Sequence, residues 1–182
     1  TGNPNKKLMP EMAGPKDDTV GAAPALDAVA QSVYSVEAMP ALGANFIGMD
    51  LSTWGAGWPP DTHGAVGPSH YIQAVNTSMA VYDKATGNRL AAFTLNNFMG
   101  GTTGSACDVA NQGDPIVLYD HYSGRWIITD FAWTSSRGPF YECFAISKGA
   151  GPVSGGWWFY QFLVDSRSMG VYCKSGVWPG GV

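Results

Sequence analysis

The feature that most narrows the fold of this 182-residue chain is a succession of short, strand-like segments that begins near residue 45. Each segment is rich in β-branched and aromatic residues and is bounded by Gly, Pro, Asn or Asp. The turn Asp83–Asn88, in which Gly87 can adopt a positive φ, predicts a hairpin between two of these segments. Only 13% of the residues are charged and 24 are glycine, which favours turn-rich antiparallel sheet over long amphipathic helices.

The strand-like segments group into units that repeat about every 50 to 60 residues. The first unit opens at Asp61–Ile72, the second at Gly113–Asp120 and the third at Lys174–Val182. Four consecutive strands joined by short turns make one blade of a β-propeller. We therefore predict an all-β fold in which residues 45–182 form the first two blades and the start of a third, so that the propeller is incomplete in this chain. A sandwich or jelly roll built from the same strands is the structural alternative.

Residues 1–44 have a different composition, rich in Ala, Pro, Met and small polar residues. Five prolines, at positions 4, 10, 15, 24 and 40, interrupt any continuous element in this stretch. It is expected to form an extended arm, in which residues 25–34 have the pattern of a short helix.

Charge and hydropathy exclude several classes of partner. The ten basic residues are scattered singly and the net charge is −4, so the chain lacks the cationic stripe that nucleic acid requires. No apolar run approaches the roughly 20 residues that span a bilayer. The start Thr1–Pro4 does not resemble a signal peptide, so an exported chain would already have lost its signal. Walker, Gly-x-Ser-x-Gly and His-Glu-x-x-His motifs are missing, which disfavours the corresponding enzyme classes.

Three cysteines bear on the compartment. Cys107 lies in a Gly/Ser/Thr-rich loop and Cys143 in a strand-like run, and a bridge between them would contribute on the order of 3–4 kcal/mol to stability. Three buried thiols are the alternative, although the low Lys content and the abundance of Gly and Trp favour an extracellular, disulfide-bearing protein. Cys173 is left without an assigned role, and the spacing does not fit a zinc site.

Two aspartates, Asp61 and Asp114, occupy comparable positions just before the first strand of each unit. Carboxylates that converge there can bind Ca²⁺ or sugar hydroxyl groups, whereas the simpler interpretation is that each one starts its strand through an Asx-turn. Ca²⁺ is the only cofactor that the sequence suggests.

A polysaccharide lyase would need a base and a cation near the substrate carboxylate. His63 or His70, with Tyr71 and Arg125, are the candidates for these roles, and histidines that simply lie in surface turns are the alternative. Among the tryptophans, Trp54 and Trp58 in a Gly-rich loop are candidates for stacking on sugars, whereas Trp126 and Trp178 are expected to pack between blades. Asn76-Thr77-Ser78 also meets the N-glycosylation pattern.

The stretch Pro59–Ser78, together with Gly113–Asp120 and Tyr141–Ser147, resembles a group of large secreted bacterial and fungal proteins predicted to be propellers. The resemblance covers roughly residues 45–182. It implies a disulfide between Cys107 and Cys143, and Cys173 stands where the group more often has proline. More distantly, the group resembles propeller-shaped polysaccharide lyases and glycan-binding exoproteins.

Three functions follow as hypotheses. The first is a secreted, non-catalytic propeller module that binds extracellular glycans or partner proteins through its loops. The second is a polysaccharide lyase or glycosidase with its site at the channel mouth. The third is a structural subunit of an extracellular or cell-surface assembly, in which the remainder of the same polypeptide or another chain completes the propeller.

Overall fold

The computed structural model describes residues 41–55, 58–100, 104–170 and 174–181. These residues contain eight strands in two four-stranded antiparallel sheets. Two four-residue helices lie in the segment of chain that connects the first sheet to the second. The predicted all-β class is confirmed. The two sheets do not close into a ring among the described residues, and the predicted arm, apart from residues 41–44, lies outside them, as does Cys173.

The first sheet, sheet A, is a simple meander. It consists of β1 (His63–Val66), β2 (His70–Val75), β3 (Ser78–Asp83) and β4 (Arg89–Thr94), hydrogen-bonded in that order. The predicted turn after Asp83 closes the β3–β4 hairpin: the Gly87 N–H donates to the Asp83 carbonyl and Gly87 has a φ of 74°. The strand-like residues 46–49 are not in a strand, so the sheet begins at β1 instead.

The second sheet, sheet B, repeats the same order with longer strands. It consists of β5 (Gly113–Asp120), β6 (Arg125–Ala132), β7 (Phe140–Ser147) and β8 (Trp157–Asp165). The predicted third unit is described over residues 174–181, where a single bridge between Trp178 and Gly181 is the only β pairing.

Two short helices, α1 (Leu95–Phe98) and α2 (Ala106–Val109), connect the sheets. The Phe98 ring of α1 makes edge contacts with Trp157 and Phe159 of β8, which fixes the connection against sheet B. A capping box between Ser105 and Asp108 begins α2.

The core lies between the sheets, where β1 and β2 pack against β5. Alternation along each strand sends one set of apolar side chains into this layer. Sheet A supplies Ile72, Ala74, Met79 and Val81, and sheet B supplies Val117, Trp126, Ile128, Ala132, Cys143 and Ala145. The expected burial of Trp126 between the sheets is therefore found, whereas Trp178 is 77% exposed.

The disulfide Cys107–Cys143 is present and joins α2 to β7. Its Cα atoms are 5.9 Å apart and both cysteines are buried. The connection between the sheets is thereby tied covalently to sheet B. None of the helices in the described part of the chain is long and apolar enough to cross a membrane.

Candidate functional site

The aspartates that open the two units take the same unusual backbone conformation. Asp61 has a φ of 41° and Asp114 a φ of 54°, and they are the only non-glycine residues with positive φ in the described part of the chain. Asp is one of the few residue types that tolerate this left-handed region. The sequence prediction that the two positions are equivalent is therefore matched by their backbone geometry.

Asn76, directly after β2, holds the two aspartates together. Its side-chain Nδ2 donates to Asp61 Oδ2 at 2.7 Å, and its Oδ1 accepts from the Asp114 backbone N–H at 2.6 Å. Its Nδ2 and its backbone N–H also donate to the carbonyls of Pro59 and Pro60, at 3.3 and 2.8 Å. One buried amide thus joins the start of sheet A, the start of sheet B and the loop that precedes β1.

Gly113 is required beside this network. Its φ is 94°, and a Cβ atom there would collide with the Asn76 side chain. The Gly113 backbone N–H donates to Asp130 Oδ1 at 3.1 Å. The Gly113-Asp114 pair therefore presents two successive N–H groups to two side-chain oxygens, those of Asp130 and Asn76.

Two carboxyl groups at this junction, those of Asp114 and Asp130, have a raised pKa. Burial, followed by a hydrogen bond and charge repulsion from Asp61, raises the pKa of Asp114. Burial also raises the pKa of Asp130 well above its ordinary value, although the Gly113 N–H opposes this. Lys174 lies near enough to Asp114 to lower its pKa in part. Burial and the neighbouring Asp61 carboxyl group therefore both disfavour the charged form of Asp114.

His63 connects the two sheets through a hydrogen bond to β5. Its Nδ1 accepts the backbone N–H of Val117 on β5 at 3.1 Å, so its remaining nitrogen, Nε2, carries the proton in the neutral ring. Burial, with a contribution from Lys174, lowers the pKa of His63. A neutral His63 is thus a bridge from β1 to the edge of β5.

The other lyase candidates are dispersed over the molecule. Tyr71 lies on the face of sheet A turned away from sheet B, where its ring contacts Phe46 and Tyr82. Arg125 lies over the Trp158 ring on the far face of sheet B. His70 pairs with Asp83 in the strand register, at the opposite end of β2 from Asn76. The structure therefore does not bring His63, Tyr71 and Arg125 into one site.

The two loop tryptophans differ in exposure. Trp54 is half-buried, with the Arg89 guanidinium 5.5 Å from its ring centroid, so only part of its surface is open to solvent. Trp58 is 70% exposed. It lines a cavity of about 210 Å³ together with Pro60, Thr62 and Asp50. Because Asn76 bonds to the carbonyls of Pro59 and Pro60, the backbone beside Trp58 is tied to the aspartate pair.

The sequence does not predict two residues of the junction, Asn76 and Asp130, to be part of the site. The sequence marks Asn76 only as part of a glycosylation pattern, but its side chain is buried and both of its polar atoms are hydrogen-bonded, which is incompatible with a glycan on it in this fold. Asp130 lies within β6, a mostly apolar strand, and an acidic residue in such a strand is the signal that the sequence contains.

Glu142, on the opposite face of sheet B, is a second buried carboxyl. It is flanked in the strand register by Phe131 and Phe162, and its Oε2 has no hydrogen-bond partner among the described residues. Burial raises the pKa of Glu142 to about 7, and a hydrogen bond with Thr129 opposes part of this rise. The folded protein therefore keeps a proton that the unfolded chain releases above its ordinary pKa of 4.5.

We expect the Glu142→Gln variant to be more stable than the wild type by about 1–2 kcal/mol at pH 8, after allowance for solvent screening. Because the folded state binds the additional proton, the wild-type free energy of unfolding falls as pH rises from 4.5 through about 7. Glutamine removes this contribution, so the difference between the two proteins grows over that range. Urea unfolding of both proteins at fixed concentration, at several pH values, measures it. Parallel pH profiles would contradict the assignment.

Within the described residues, no group of three or more His, Cys, Asp or Glu side chains is arranged to hold a metal ion. The suggested Ca²⁺ site at Asp61 and Asp114 stays a prediction. No protein-family model, curated protein or solved structure matches this chain.

Proposed function

We propose that this chain is part of an extracellular, non-catalytic β-propeller module that binds neutral glycans at the junction where its two sheets begin. In this proposal sheets A and B are successive blades, with β1 and β5 as their innermost strands. The observation that carries it is the Asn76 network, which places the two unit-opening aspartates side by side next to the loop of Trp58.

The propeller arrangement is supported by the likeness of the two sheets. Both are four-stranded meanders with the same strand order, and the first strands of both lie in the contact between them. Lys174, just after β8, lies close enough to His63 and Asp114 to affect the pKa of each. The chain therefore returns from the last strand of sheet B to the first strands of the two sheets.

Glycan binding is supported by the chemistry of the side chains at this junction. An exposed indole such as Trp58 offers an apolar face for a sugar ring, and carboxyl groups such as Asp61 and Asp114 hydrogen-bond to hydroxyl groups. The polar groups of the site are fixed in advance by Asn76, which lowers the entropic cost of binding. Two carboxyl groups would repel a uronate, so neutral glycans fit better than acidic ones.

Binding fits this geometry better than catalysis. A glycosidase holds its two carboxyl groups about 5–10 Å apart to leave room for the sugar or for water. Asp61 and Asp114 are instead within hydrogen-bonding reach of each other. The lyase candidates lie on three different surfaces of the sheets, and His63 is committed to the N–H of Val117.

Glycan binding is tested by titrating the protein with laminarin, a neutral β-glucan, and with polygalacturonate, an acidic polymer, by isothermal calorimetry. We expect laminarin to bind and polygalacturonate not to. The Trp58→Ala variant should bind laminarin at least about tenfold more weakly, because loss of a stacking surface removes on the order of 1.4 kcal/mol. Asp61→Asn should also weaken binding.

Trp178→Ala is the matched control, because Trp178 is also a well-exposed tryptophan but is not part of the Asn76 network. It should bind laminarin as the wild type does. A failure of laminarin to bind, or equal binding by the Trp58→Ala and wild-type proteins, would overturn the proposal.

A further inference from the structure

The face of sheet B turned away from sheet A has an apolar region along β7 and β8 that is open to solvent, where Trp158 is 38% and Tyr160 43% exposed. Elsewhere on this face, side chains such as Ile116, Phe131 and Glu142 are buried. We call the apolar region the open face; it carries Ile127, Phe144, Ile146, Trp158, Tyr160 and Phe162. Five of these side chains line a shallow groove of about 270 Å³, and Phe162 is 54% exposed. Monomeric proteins rarely expose contiguous apolar patches of this kind without an occupant.

The corresponding outer face of sheet A is covered by a segment of the chain. This segment in turn exposes apolar side chains to solvent. Residues 42–51, the leading segment, lie on the face of sheet A turned away from sheet B: Phe46 packs on Tyr71 and Tyr82, and the Met49 N–H donates to Gln73 Oε1. Two side chains of this segment point into solvent, because Leu42 is 83% and Ile47 91% exposed.

We propose that copies of this chain associate head to tail, with the open face of one copy receiving the leading segment of the next. The contact between copies would continue the stacking already present within the chain, where an apolar face of sheet A covers the inner face of sheet B. Copies joined in this way form a closed ring if the rotation between them closes, and a filament if it does not.

Charge favours this pairing over other contacts of the open face. Arg125 and Lys148 lie over the Trp158 ring at one end of the open face and place two cations there. The leading segment carries Asp50, whose carboxylate accepts hydrogen bonds from the Ser52 hydroxyl and the Thr53 N–H. These bonds lower the pKa of Asp50, so the segment presents a fixed negative charge. A carboxylate that meets two cations adds complementarity to the apolar contact.

Sedimentation velocity over a range of protein concentrations tests the association, in the absence of any glycan. We expect the wild type to form species of more than one 19.2 kDa chain. Phe162→Glu, on the open face, and Ile47→Glu, on the leading segment, should each lower the mass to that of a single chain. Val109→Glu is the matched control, because Val109 is an exposed apolar residue in α2, outside both surfaces, and should leave the association unchanged.

Mixing the two variants distinguishes head-to-tail association from other geometries. Each variant retains one intact surface, so an equimolar mixture should form a dimer and nothing larger, which also demonstrates that both variants are folded. A wild type that is monomeric at all concentrations would overturn the proposal. An Ile47→Glu protein that dimerises alone would overturn it as well, since that result indicates pairing between two open faces. Because no glycan is present, these outcomes are independent of the binding test on Trp58.

Discussion

Replacing Trp126 with alanine is expected to lower the free energy of unfolding by about 3–5 kcal/mol, the range for large-to-small changes of aromatic residues in a core. Trp126 is fully buried between the sheets. Its ring packs against Tyr119 at a centroid distance of 4.9 Å, and on another side it abuts Gly67, in the β1–β2 turn of sheet A. One side chain therefore contributes both to sheet B and to the contact between the sheets.

Hydrogen bonds add to the cost of losing this indole. Trp126 Nε1 donates to the Ala150 carbonyl at 3.0 Å, and this contact holds the loop between β7 and β8. Alanine leaves that carbonyl without its donor and creates a cavity in the core. Trp126→Phe keeps most of the volume but removes the donor, so its loss of stability should be intermediate.

Urea unfolding followed by circular dichroism measures the effect, with equal m-values as the check that the compactness of the folded and unfolded states is unchanged. Trp178→Ala serves as the control, because it removes the same side chain from an exposed position and should change stability by less than about 0.5 kcal/mol. A loss below about 1 kcal/mol in Trp126→Ala would contradict the placement of Trp126 at the centre of the core.

The sequence predicts best those strands that are joined to the next strand by a short turn of characteristic composition. The β3–β4 and β5–β6 hairpins follow directly from Gly87 and Gly124, both of which adopt positive φ in the structure. Residues 46–49 have the composition of a strand, but their neighbour is the face of sheet A rather than a strand edge. Local composition does not distinguish these two surroundings, so the sequence predicts a strand at residues 46–49 that the fold does not contain.

The candidate site was harder to predict because its decisive contacts are long-range. Asp61 and Asp114 are 53 positions apart, and Asn76, whose side chain bonds to both residues, is marked in the sequence only by a glycosylation pattern. The equivalence of the two aspartates was accessible from the repeat, whereas the bonds between them were not. Likewise, nothing in the residues around His63 indicated that it would accept the N–H of Val117, which lies 54 positions further along the chain.

Removal of the Cys107–Cys143 disulfide is expected to lower the free energy of unfolding by about 4 kcal/mol. The bridge spans 36 positions, and on the chain-entropy account a cross-link of that span restricts the unfolded chain by about this amount. Its loss also removes the covalent link between α2 and β7. The hydrogen bond from the Cys107 N–H to Gln161 Oε1 on β8, at 3.3 Å, is one of the contacts that remain. The segment that connects the sheets would then be held to sheet B only by non-covalent contacts such as those of Phe98.

The double variant Cys107→Ala/Cys143→Ala makes this test without leaving an unpaired thiol in the core. Its urea midpoint should fall relative to the wild type, and addition of a reductant should lower the wild type towards it while leaving the variant unchanged. Cys173→Ala is the matched control, because it removes a thiol but not this bridge. Because α2 and β7 are packed together in the folded state, we expect the reduced protein to remain folded in the absence of urea, with the same sheets. Equal midpoints for the oxidised wild type and the double variant would contradict the prediction, because they would mean that the disulfide does not stabilise the folded protein.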